Sequence, residues 1–281
     1  MIASMGAFAI ADTLVKISTS FISPAQTLFF LISGALIIFA CMAILQGETL
    51  LDARALSPIL WVRYLAEIAG MVGMVTALAK VPISVVGAVT QASPILATLG
   101  AVLFLNEVVG WRRWCSIIVG FVGVLLIVQP GSNAFNASVL WAILALLAMS
   151  IRDLTTRLTP KDMSSSCLAT YTMAAATPFT IAWVYSNEQV LFPPEIDWLV
   201  ITPMVILGAL AYHLLITAIR LGDVSVVMPF RYVRIIFLLI LGIVVFNEKP
   251  GVLVLLGAVL IIGSGSYLMW RERLVTSDEQ H

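Results

Sequence analysis

The chain has 281 residues, of which 61% are hydrophobic and 11% charged, with fifteen basic and fifteen acidic residues and no net charge. Ordinary soluble domains carry about 25% charged residues, so a soluble fold of this length is excluded. With no Lys/Arg run, a nucleic-acid partner is excluded too. A mean hydropathy of +1.07 describes a polytopic membrane protein whose constant partner is the lipid bilayer.

Ten spans are predicted, each near the roughly 20 residues that a bilayer requires. The first, 2–20, starts without a basic n-region or cleavage pattern, reads as a retained helix, and carries Asp12 and Lys16. The second, 25–45, opens on Ser23-Pro24, a cap followed by proline. The third, 58–79, opens on Ser57-Pro58 and carries Arg63 and Glu67. The fourth, 83–105, is uncharged inside but holds Thr90, Gln91, Ser93 and Pro94. The fifth, 111–129, has Arg112 and Arg113 at its entrance, and "QPGSNAFN" (129–136) then marks an internal boundary.

The sixth span, 137–157, ends in a crowd of Arg152, Asp153 and Arg157, while the seventh, 167–186, is uncharged. The eighth, 198–220, carries His213 with Arg220 at its end. The ninth, 224–246, carries Arg231, Tyr232 and Arg234, with Pro229 among them, and the tenth is 251–270. All seven tryptophans fall within about a turn of a span end, where amphipathic rings settle at the headgroups. Cys41, Cys115 and Cys167 read as small core residues.

With ten spans both termini share a side. Arg54, Arg112, Arg113, Arg157, Lys161, Arg220, Arg271 and Arg273 lie near span ends on that side, against Lys16, Lys80 and Lys249 on the other. The positive-inside rule places both termini in the cytoplasm, in a bacterial-type plasma (inner) membrane.

Sliding the chain by 141 residues brings Ser84-Val85-Val86 onto Ser225-Val226-Val227 and Asn106-Glu107 onto Asn247-Glu248. The same offset brings Asp12 onto Asp153 and Lys16 onto Arg157. The chain therefore reads as two five-helix copies, 1–130 and 137–272, followed by a short cytoplasmic tail, 273–281. Five is odd, so the second copy enters from the opposite side. Inverted repeats of this kind are typical of secondary transporters, with substrate held near the midplane at the repeat interface.

This repeat, with "NEVVGWRRW…GFVGVLLIVQPG" (106–131), "IRDLTTRL" (151–158), "PFRYVR" (229–234) and "FNEKP" (246–250), resembles the EamA-type branch of the drug/metabolite transporter superfamily. The resemblance covers essentially the whole chain and implies an all-α membrane fold of ten helices around a central cavity. It leaves the substrate open among amino acids, riboflavin and other metabolites, drug-like ones included. Both copies carry Asn (Asn106, Asn247) before the repeat glutamate, where the family usually has Gly.

Ionisable groups inside a membrane face a bundle interior or a wet cavity. Spans 1, 3, 4, 6, 8 and 9 are therefore expected to ring that cavity, with 2, 5, 7 and 10 outside. At 1.5 Å per residue, Glu67 lies about 13 Å into its span, Arg234 about 15 Å, and His213 about 10 Å from its span's end. Arg63 and Arg231 sit one turn shallower. Three arginines and one glutamate at one level suit an anionic or zwitterionic metabolite such as an amino acid, moved by alternating access. The candidate substrate contacts are Arg234, Arg231, Glu67, Arg63, His213, Gln91 and Tyr232.

Each has a structural alternative. Arg231 is shallow enough to snorkel, Arg63 and Glu67 have i,i+4 spacing for pairing, and His213 is more often a satisfied core histidine than a proton carrier. Asp12/Lys16 and Asp153/Arg157 are candidates for coupling or for pairing at helix ends, and Glu107 and Glu248 for anchoring loops. Gly120/Gly123 and Gly257/Gly263/Gly265 read as close packing and a homodimer face.

No G-x-S-x-G, H-E-x-x-H or Walker A pattern occurs, and two histidines supply no intramembrane metal pair. The chain is thus read as neither enzyme nor ATP-driven pump, with no metal and no cofactor. A membrane-embedded enzyme and a channel are the rival classes. A C-terminal alkaline phosphatase fusion should be inactive in the periplasm, and an active one would overturn the orientation.

Overall fold

Hydrocarbon offers no partner to backbone N–H and C=O groups, so a chain this apolar must satisfy them within helices. The computed structural model describes residues 1–48, 53–93, 95–96, 111–129, 136–159, 163–221 and 231–278. Ten α-helices occur among the described residues. They are α1 (Ile2–Ser18), α2 (Pro24–Leu45), α3 (Pro58–Lys80), α4 (Ile83–Thr90), α5 (Trp111–Val128), α6 (Val139–Arg157), α7 (Ser165–Ser186), α8 (Trp198–Leu221), α9 (Val233–Phe246) and α10 (Val252–Asp278).

The ten expected spans correspond in order to these helices. Parts of the fourth and ninth spans, with Pro94 and Pro229, lie outside the described residues, as does Glu107 after the fourth. Among the described residues five helices, α2, α3, α6, α7 and α8, are long and apolar enough to cross a membrane.

The repeat is visible in the helix starts. Pro24 and Ser165 are 141 residues apart, as are Trp111 and Val252, and α2 and α7 are both 22 residues long. Even the caps repeat. The Ser23 hydroxyl accepts from the Gln26 N–H at 3.1 Å, and the Ser164 hydroxyl accepts from the Cys167 N–H at 3.1 Å. Only the first is reciprocal, because Gln26 Oε1 accepts from the Ser23 N–H at 2.9 Å in return.

The helices also pair symmetrically. α3 packs on α6 as α8 packs on α1, and α2 meets α7, α4 meets α9 and α5 meets α10. Exchanging the halves maps this set onto itself. Contacts along α3 and α6 run in opposite directions: Arg63 meets Thr156, Glu67 meets Arg152, and Gly73 lies against Ala145. The fold is two inverted five-helix repeats around a central cavity.

One expectation is corrected. Cys41 and Cys115 are exposed and only Cys167 is buried, so the first two point away from the core. The outer glycines are used within the chain: a Cβ on Gly257 would lie 2.5 Å from the Gly123 carbonyl oxygen, and one on Gly123 would lie 2.8 Å from that of Gly257. Gly120 and Gly265 likewise lie against Ile95 and Tyr232. Gly123 and Gly257 thus bring α5 against α10, the close packing that was expected, whereas Gly263 has nothing within 4 Å.

Gly257→Val should cost about 1–3 kcal/mol through overpacking and lower the melting temperature of the detergent-solubilised protein. Gly263→Val, with nothing within 4 Å of its new Cβ, should leave it unchanged.

Candidate substrate site

The chemistry of the site comes from charges that lipid cannot solvate. Arg63, on α3, is 1% exposed and spends its guanidinium entirely on protein. Nε donates to Thr156 Oγ1 at 2.9 Å, Nη1 donates to Thr172 Oγ1, and Nη2 donates to Tyr212 Oη at 2.8 Å. The Tyr212 hydroxyl in turn donates to Glu67 Oε2 at 3.1 Å, and Arg63 and Glu67 themselves stand 4.0 Å apart. One arginine of the first repeat is thus tied to α6, α7 and α8 of the second.

The charges continue in alternating sign. Arg152 Nη1 donates to Glu67 Oε1 at 3.0 Å, while its Nε and Nη2 donate to Asp153 Oδ1 at 3.0 and 2.8 Å. Arg231 Nη1 donates to Asp153 Oδ2 at 2.8 Å. Gln91, just past α4, donates from Nε2 to the Arg231 carbonyl at 2.6 Å. One turn on from Arg231, at the start of α9, Arg234 donates from Nε and Nη2 to Asp12 Oδ2 and lies 5.0 Å from the centre of the Phe8 ring.

Asp12, Glu67, Gln91, Arg152, Tyr212, Arg231 and Arg234 supply the polar lining of one central cavity. The remaining lining is apolar. It includes five methionines, Met5, Met71, Met74, Met149 and Met173, together with Phe8 and Phe39.

The six helices expected around the cavity all contribute, counting Gln91 with α4, but α2 and α7 contribute as well through Leu31, Ala35, Phe39 and Met173. Charge marks only the polar wall, so these apolar contributors gave no signal. Among the described residues neither α5 nor α10 contributes to the lining.

Of the candidate contacts, Arg231, Arg234, Glu67 and Gln91 come together at the cavity, and Arg63, His213 and Tyr232 do not line it. Arg63 is a brace behind it. On α8 the lining residues are Gly208, Ala209, Tyr212 and Leu215, a helical stripe from which His213 is turned about 100°. Tyr232 is buried against Gly265 of α10, and among the described residues its hydroxyl has no hydrogen-bond partner.

Asp12 and Lys16 do not pair with each other, because each finds a closer tertiary partner. Asp12 holds Arg234, while the Lys16 ammonium donates to the carbonyls of Leu78 at 3.0 Å and Val81 at 2.7 Å, at the end of α3. Asp153 holds Arg152 and Arg231, and the side chain of its i+4 neighbour Arg157 lies outside the described residues.

Arg152 and Tyr212 were missing from the sequence-based set. Arg152 read as one more charge at a helix end, and Tyr212 was masked by the more obvious histidine beside it. The expected layer of three arginines and one carboxylate becomes four arginines (63, 152, 231, 234) and three carboxylates (12, 67, 153). The positive surplus falls from two to one.

Glu248 is an anchor. Its Oε1 accepts from the Ile83 N–H at 2.7 Å, and its Oε2 accepts from the Ser84 N–H at 3.1 Å and hydroxyl at 2.7 Å. A carboxylate there meets two orphan donors and the positive end of α4. Asn247 before it is left-handed, at φ 50°, which Asn tolerates better than most residues. The repeat counterpart Glu107 lies outside the described residues.

Comparison with known proteins agrees with this architecture. The chain is 27% identical over 210 residues to an S-adenosylmethionine uptake transporter of Rickettsia bellii, covering 74% of this chain and 71% of that one. It is 30% identical over 205 residues to a riboflavin transporter of Brucella anthropi, covering 72% of each. It is 25% identical over 264 residues to a pseudopaline exporter of Pseudomonas aeruginosa, covering 91% of this chain and 89% of that one. A crystal structure with 16% identity matches 97% of this chain and 98% of its own at a TM-score of 0.62, which shows the shared fold. The EamA-like transporter family model matches twice, over residues 1–129 and 136–270, and the chain belongs to that family of membrane transporters.

Proposed function

We propose that the protein is a secondary transporter moving a small anionic or zwitterionic metabolite by alternating access through the central cavity. The observation that carries this reading is the surplus of one positive charge around a largely apolar cavity between two inverted repeats. An isolated surplus charge is costly away from water, and a substrate carboxylate or phosphate neutralises it. Arg231 and Arg234 are the contacts for that group, since a guanidinium offers a planar fork that an ammonium lacks. In this reading Glu67 is the group that meets a substrate amine.

The apolar wall supports a substrate with a sizeable non-polar body. Methionine is flexible and polarizable, and contacts aromatic rings favourably. The names of the relatives make S-adenosylmethionine and riboflavin the first compounds to try.

The repeat boundaries at 130 and 137, the tail 273–281, cytoplasmic termini and an inner-membrane location belong to the same proposal. So does the absence of catalysis, for which the relatives' names as transporters give support.

Counterflow into proteoliposomes is the test, with S-adenosylmethionine, riboflavin and an amino-acid panel as labelled solutes. Saturable counterflow is expected, whereas ohmic flux would mean a channel and chemical conversion an enzyme. Arg234→Lys should lower transport at least tenfold, the loss of about 1.4 kcal/mol, while Arg112→Lys at a helix entrance should not. Unchanged apparent affinity in a folded Arg234→Ala protein would remove Arg234 from the site.

A further inference from the structure

Asp12 and Lys16 stand four residues apart on α1, acid before base, the order in which such pairs attract best along a helix. The fold separates them. Asp12 is drawn across the cavity to Arg234, and among the described residues no other group donates to its carboxylate. Lys16 has no carboxylate within ion-pair distance among the described residues. It holds the Leu78 and Val81 carbonyls and lies 5.3 Å from the centre of the Phe246 ring. Its tie is to the end of α3, and Glu248 holds the adjoining start of α4. The turn between the two helices is gripped from both sides.

We propose that Asp12 is an internal stand-in for the substrate's carboxylate, and that its displacement switches Lys16. This rests on the anion-binding reading of Arg234 given above. An entering carboxylate takes the Arg234 guanidinium. Asp12 swings back to Lys16, its neighbour one turn along α1. The ammonium leaves the Leu78 and Val81 carbonyls, and the α3–α4 turn loses one of its two grips.

Before the exchange, Asp12, Lys16 and Arg234 together carry one positive charge. With a bound carboxylate they carry none, and every member is paired. No proton or covalent bond is exchanged. Asp12 and Lys16 are positioning residues, acting through Arg234 and the turn. Asp153, the repeat counterpart of Asp12, is shared by two arginines, so a single competing carboxylate releases Asp12 more readily.

The experiment uses acetate, the minimal carboxylate, and the full chain with Cys41, Cys115 and Cys167 replaced by alanine. Val81, 2% exposed, is replaced by cysteine as the reporter of the turn. In this background acetate should raise labelling of Val81→Cys by a thiol reagent several-fold. Asp12→Asn removes the competitor, so acetate should stabilise that protein against heat at about tenfold lower concentration, the gain when a competent state rises from a tenth of molecules to nearly all. Its labelling should no longer respond. Lys16→Gln keeps donors for the carbonyls but cannot accept the Asp12 charge, so its labelling should not respond either.

Unimproved acetate affinity in Asp12→Asn overturns the proposal, as does an acetate response of Val81→Cys that survives Asp12→Asn or Lys16→Gln. Arg234-dependent counterflow with acetate-insensitive labelling in the parent overturns the switch alone and leaves the transport reading standing. Acetate that stabilises neither the parent nor Asp12→Asn overturns the carboxylate site at Arg234 along with it.

Discussion

A guanidinium buried in a membrane protein has no water to fall back on, and the run from Arg63 through Tyr212, Glu67, Arg152 and Asp153 to Arg231 exists because each charge must be met by another protein group. Removing one member leaves its neighbour uncompensated, typically at about 3–5 kcal/mol. The run draws on α3, α6, α8 and the entry to α9, so both repeats are joined by the same interaction that furnishes the cavity's polar wall. Apolar contact alone would not do this, since lipid tails compete for leucine as well as another helix does. Charge pairing specifies which helices meet and in what register.

The repeats are symmetric in scaffold and unequal in site. Helix starts, the lengths of α2 and α7 and the serine caps repeat at 141 residues, while the arginines do not. Arg231 and Arg234 have Thr90 and Ser93 at the matching positions of the first copy. Both repeat aspartates are consequently served from the second copy, Asp12 by Arg234 and Asp153 by Arg231 with Arg152. Duplication supplies the pairing geometry, and divergence at one turn of one helix supplies a directional charge surplus.

The scaffold was legible because hydrophobicity over about 20 residues is nearly a complete statement of a membrane helix. Serine-proline starts and the 141-residue offset then placed most ends within a few residues. The site was legible only in part. Depth counting put Glu67 and Arg234 near one level with Arg231 a turn shallower, but partner choice depends on rotation about helix axes, which a sequence states only to within a face. That is why the local pairing of Asp12 with Lys16 gave way to tertiary partners, and why Tyr212 lines the cavity in place of His213. Apolar lining residues on α2 and α7 had no signature at all, because facing a cavity and facing lipid call for the same side chains.

The cap that Glu248 places on α4 has a consequence for biogenesis. The residue that completes the start of the fourth helix is made 165 positions after Ile83, at the far end of α9. Arg63 similarly waits for Tyr212. When the first five helices have left the ribosome, they hold an uncapped helix end and a buried cation without its acceptors. The half-protein is an unfinished intermediate that the insertion machinery must shelter until the second half arrives, and a copy of it expressed alone would have to borrow those groups from another chain.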